Sequence, residues 1–148
     1  MTLSKTAIAY EEDFNLWLEQ TIEALRAGRF AELDVNALID ELESMSKRDK
    51  REIFSRLKSL LMHLLKWQYK PHKRTNSWEI TIRNNREEIQ QIMLDSPSLR
   101  TYPELVLAQA YASARLNAAS ETGLAIATFP ETCPYDISAI LAEPFLPE

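Results

Sequence analysis

Glycine occurs only twice in this 148-residue chain, cysteine once and histidine twice. The lone Cys133 rules out an internal disulfide and suits a reducing compartment. Long apolar runs are missing as well: Lys58, His63 and Lys66 cut the longest one, which falls far short of the ~20 residues needed to span a bilayer. The opening stretch, MTLSKTAIAYEED, has a single lysine and a short apolar patch before three acids, and does not read as a secretory signal. The expectation is a cytoplasmic protein. No segment alternates apolar and polar residues as a strand does, and no internal repeat is visible.

What is present is helical periodicity. With 45% hydrophobic residues the chain is long enough for one core and short for two, so the reading is an N-terminal extension over 1–9 and a single all-α domain over 10–148. That domain is expected to be a bundle of about five helices with a short C-terminal helix. Both glycines follow helical patterns, where a left-handed cap would sit, and the prolines fall between periodic segments or in their first turns.

Phe14, Trp17, Leu18, Ile22 and Leu25 predict a helix from about Tyr10 to Ala27. Asp34 can cap a second, with Val35, Leu38, Ile39, Leu42 and Met45 on one face. Ser46 with Asp49 can restart the chain into a third, which keeps Ile53, Leu57, Leu60, Leu61 and Leu64 inward until Pro71. Asn76 with Glu79 resembles a capping box for a fourth helix ending near Asp95. Thr101, Pro103 and Glu104 open a fifth, alanine-rich and closed at Gly123, and a last short helix is expected around Ile137 to Ala142.

The net charge of −5 hides a segregation. Residues 10–45 carry ten acids against Arg26 and Arg29, a balance of −8; residues 46–74 carry ten bases against Asp49 and Glu52, a balance of +8. Either the acidic and basic segments pair as antiparallel neighbours, or the basic block, with Lys66, Lys70, His72, Lys73 and Arg74, is a binding surface.

The stretches YEEDFNLWLEQ, LRAGRFAELDVNALIDELESM, LLMHLLKWQYKP, SWEITIRNNR, DSPSLR, ETGL and FPETCPY, in this order, resemble the bacterial domain of unknown function family 29, frequent in cyanobacteria. The likeness runs from about Tyr10 to Pro147. It implies a small, stand-alone, all-helical cytosolic protein and brings no catalytic residues with it.

Chemistry has few places to reside. At ~100° per residue from Ile53, Leu57, Leu60, Leu61 and Leu64 cluster around ~20°, Arg56 falls near ~300° and His63 near ~280°. His63 is thus expected at the edge of the apolar face. Arg56 and His63 resemble the Arg-x(4–6)-His arrangement of HEPN-type ribonucleases, in which the histidine would move the proton of a ribose 2′-hydroxyl and the arginine would hold the phosphate. Leu57 departs from that pattern, where a polar residue is usual. The plainer reading pairs Arg56 with Glu52 one turn earlier and lets His63 bond to a neighbouring helix.

No metal site or cofactor is expected. Leu60 and Tyr69 stand three before His63 and His72, where a di-iron bundle needs glutamates, and Asp40, Glu41 and Glu43 do not share one face. Cys133 has no base nearby in sequence. The three tryptophans lie at apolar helical positions and read as core.

Phe54, Met62, Leu65 and Tyr69 form a second stripe on the third helix, so that helix is either central or meets another chain. The preferred function is a non-catalytic interaction or regulatory module whose partner is a protein or a second copy, with no membrane. A ribonuclease or other nucleic-acid-acting protein is the first alternative and a small-ligand or metal sensor the second.

Overall fold

The computed structural model of the protein describes residues 10–148, all of them helix, turn or coil with no strand among them. The extension expected over 1–9, with most of the stretch read for a secretory signal, lies outside those residues. The chain divides into a unit ending at Lys47 and a second one, Arg48–Glu148.

In the first unit, residues 10–12 make a helical turn and α1 runs Phe14–Ala27. The helix starts later than its apolar pattern suggests because Asp13 is extended, with its carboxylate accepting the Leu16 N–H at 3.0 Å. Gly28, at φ +73°, ends it in the left-handed conformation, and Arg29 N–H closes back on Ala24 O. After a 3-10 turn at Phe30–Glu32, Asp34 accepts the Ala37 N–H and caps α2. The buried cluster here is small: Trp17 and Ala37, with Tyr10, Leu18 and Leu38 against them.

Helix α2 is Val35–Tyr69, a single element where two were expected. Ser46 does not cap a new helix. Its hydroxyl donates to the Glu43 carbonyl within the helix, and with no proline or glycine between 35 and 69 nothing breaks the ladder. The hairpin that would have set acidic residues 35–45 antiparallel to the basic ones is therefore absent.

In the second unit, α2 meets α3 (Asn76–Asp95), α4 (Tyr102–Thr122) and α5 (Ile137–Leu141). Thr75, not Asn76, caps α3, accepting the Trp78 N–H at 3.2 Å, so Glu79 lies one position too far along for the expected box. Gly123 closes α4 at φ +75°. Ile53, Leu57, Leu60, Leu61 and Leu64 are fully buried together with Ile82, Ile89 and Ile140. Each such side chain contributes roughly 1.5–3 kcal/mol. Ala110, Ala114 and Ala118, one turn apart on α4, are buried too, the close approach their small size permits.

The second stripe resolves in favour of a central helix within this unit. Leu65 is fully buried, Phe54, Met62 and Tyr69 pack against the core, and the Tyr69 ring meets Phe129 edge-on at 5.1 Å. Among the described residues no helix is long and apolar enough to cross a membrane.

Candidate functional site

Burial of Leu57, Leu60 and Leu64 on one side of α2 leaves Arg56, Ser59 and His63 on its flank, and α3 supplies Asn85 opposite them. Arg56 Nε donates to Glu52 Oε1 at 3.0 Å, the expected one-turn ion pair, and its Nη1 reaches Asn85 Oδ1 at 3.5 Å. Asn85 Nδ2 in turn donates to Ser59 Oγ at 3.0 Å. The guanidinium is thus partly neutralised and anchored inside the chain.

His63 is half-buried, as a boundary residue should be, but its bond goes to its own helix: Nδ1 lies 2.7 Å from Ser59 O. Among the described residues the expected bond to a neighbouring helix is absent, the carbonyl one turn back being the acceptor that Nδ1 meets. A carbonyl only accepts, so Nδ1 carries the proton and neutral His63 presents Nε2 as a free acceptor. Burial holds the ring's pKa below its ordinary value, with the Lys66 charge adding to that and the Ser59 bond and Glu121 opposing it.

The basic block is divided by the fold. Lys66 is only 8% exposed; its Nζ lies 2.8 Å from Glu121 Oε1 and 4.6 Å from the centre of the Trp78 ring. Arg74 donates from Nε to Trp67 O and stacks on that indole at 4.9 Å. Lys70 is half-buried, while His72 and Lys73 are exposed on the 3-10 turn Pro71–Lys73. Of the three tryptophans read as core only Trp17 is buried; Trp67 packs partly buried against the core, Trp78 is half-buried outside it, and each of these two carries a cation on its face.

Asn85 and Arg86 were not picked out from sequence, although both fall between Ile82 and Ile89 on the inward stripe of α3, a position that marks a buried polar group as bonded. Arg86 is 2% exposed and donates to Ile140 O and Phe145 O, both at 2.7 Å, tying the C-terminal segment to α3. Cys133 is half-buried, its thiol pushed up by burial, and it faces Tyr135 O rather than a base. Among the described residues no three His, Cys, Asp or Glu side chains converge as a metal ion would need.

The first unit leaves large apolar side chains in water. Ile22 and Leu25 of α1, and Val35, Ile39, Leu42 and Met45 of α2, keep roughly half of their surface in water, and Leu42 reaches 59%. Sequence periodicity identified these as apolar faces, but little in the unit covers them.

No curated protein and no solved structure matches the chain. The family model described as Domain of unknown function DUF29 matches residues 9–146, nearly the whole chain, and the protein belongs to that family.

Proposed function

We propose that the chain is a non-catalytic, cytosolic protein-interaction module whose contact surface is the apolar side of the unit ending at Lys47. The observation that carries this reading is the exposure of Ile22, Leu25, Val35, Ile39, Leu42 and Met45 on two successive helical segments. A set of large apolar side chains left in water at helical spacing marks a surface meant to be covered. The lone half-buried thiol suits a reducing compartment.

One feature favours a second reading, action on RNA: with Nδ1 bonded to Ser59 O, His63 has the orientation of a general base with Nε2 available. Against it, the arginine that would hold a phosphate is already committed to Glu52 and Asn85. The discriminating experiment places a photo-crosslinking amino acid at Leu42 and, as control, at the exposed Glu88, in the cell that makes the protein. Discrete protein adducts at position 42 and none at 88 are expected. Absence of adducts at 42, together with cleavage of RNA by the purified wild type, would favour the nuclease.

A further inference from the structure

We propose that the second unit holds a small-ligand site, a groove bounded by the end of α3, the start of α4 and α5, which takes a zwitterion with an apolar body. The site goes beyond the interaction reading and is independent of what covers the first unit.

Helix α5 is only five residues long, Ile137–Leu141, and it leaves a groove open against α3 and α4. The groove has a volume of about 470 Å³, within the ~300–1,000 Å³ of small-molecule sites. Met93 and Leu94 of α3 and Ile137 and Leu141 of α5 supply its apolar lining. Leu94 keeps 66% of its surface in water, and the unbranched thioether of Met93 adapts readily to a guest.

The walls are fixed before any guest arrives. Gln90 Nε2 donates to Leu141 O at 2.7 Å, and Arg86 Nε donates to Ile140 O at 2.7 Å, so α3 grips α5 at two successive carbonyls. Ile140 is fully buried and adds its packing to these bonds. A groove held in this way is preformed, which spares the guest the cost of ordering it.

The charges decide the class of guest. Arg100 and Glu104 both line the groove and both are exposed. Among the described residues neither side chain makes an ion pair or a hydrogen bond. Arg100 and Thr101 have right-handed helical backbones that lead into α4, so the two side chains stand about one turn apart, with ~5–6 Å between their Cβ atoms. A base four residues before an acid is the less favourable order for a helix pair, which leaves both charges available. A fatty carboxylate would meet Arg100 but be repelled by Glu104, and an alkylamine would meet the opposite conflict. A molecule with both charges satisfies both residues, its carboxylate accepting from the Arg100 guanidinium and its ammonium donating to the Glu104 carboxylate. Its apolar body then covers Met93, Leu94, Ile137 and Leu141. Apolar amino acids and their dipeptides share this chemistry, and the dipeptide suits the spacing better because a peptide unit separates its charges.

Amide NMR titrations of the full chain with leucylleucine, leucine, octanoate and octylamine test the proposal. Leucylleucine is expected to bind with a millimolar Kd and to shift amides within 90–104 and 137–141, with leucine doing so more weakly. Tighter binding of leucine would keep the class and name the free amino acid as its source. Arg100→Gln should weaken leucylleucine about five-fold, yet leave unchanged the binding of its C-terminal amide, which has no carboxylate to lose. Glu104→Gln should do the same for leucylleucine against its N-acetyl derivative. Both residues are exposed, so neither exchange threatens the fold. Octanoate or octylamine binding as tightly as the dipeptide overturns the proposal, as do shifts confined to other residues or none at tens of millimolar. An Arg100→Gln chain that binds leucylleucine as the wild type does overturns it too.

Discussion

His63 Nδ1 lies 2.7 Å from the carbonyl oxygen of Ser59, one turn back on the same helix. The bond ties the ring to α2 and not to a neighbouring helix, so His63→Ala should cost only about 1 kcal/mol. The pH dependence is more telling. Burial lowers the folded-state pKa below 6.5, so near that pH the unfolded chain binds the proton more readily. Stability is therefore full above pH 6.5 and falls as pH drops toward the folded pKa. Urea melts of wild type and His63→Gln between pH 7.5 and 5 should diverge in this direction; parallel curves would show that the ring is not held neutral.

Arg86 is the buried cation on which the C-terminal segment depends. Its two bonds, to Ile140 O and Phe145 O, cannot both be made by a lysine, whose single ammonium lacks the planar fork. Arg86→Lys should destabilise by about 2–3 kcal/mol and speed proteolytic cleavage after Leu141. Unaltered cleavage would mean that the packing of Ile140 and the Gln90 bond to Leu141 O hold the segment without Arg86.

Lys66 offers a contrast. Its ammonium sits between Glu121 and the Trp78 face, and removing Glu121 leaves that charge with the indole alone. Because Glu121 is half-exposed, Glu121→Ala should cost only about 1 kcal/mol, and Lys66→Met, which keeps the stem, should stay within about 1 kcal/mol of wild type. The double variant should be no worse than Lys66→Met. Denaturant titrations of the three decide it, and a Lys66→Met loss of several kcal/mol would contradict this account.

Gly28 and Gly123 end their helices at φ +73° and +75°, and an added Cβ would meet nothing within 4 Å at either position. Only backbone strain opposes substitution, so alanine at each should cost about 1–2 kcal/mol and asparagine less. Thermal melts showing alanine equal to glycine would mean that these caps carry no strain.

The core of the second unit was legible in the sequence because a 3.6-residue period both locates a helix and names its inward face. Ile53, Leu57, Leu60, Leu61 and Leu64 were all assigned inward and are all fully buried. Continuity of α2 was not legible, since Ser46 followed by Asp49 carries the same letters whether the hydroxyl caps a new helix or bonds back to Glu43 O. Thr75 was overlooked because Asn76 is as good a capping residue and only backbone angles separate the two. For Ile22, Ile39 and Leu42 the period named the apolar face correctly. It holds no information on what covers that face, and in the single chain these residues stand in water.

Carbene footprinting inside the cell, read residue by residue, is the most direct measurement of whether that face is covered. The isolated chain exposes Leu42, Met45 and Leu105, the last at 77%. An interaction surface predicts strong labelling at Leu105 with little at Leu42 and Met45, and labelling of all three in proportion to their exposure would contradict it.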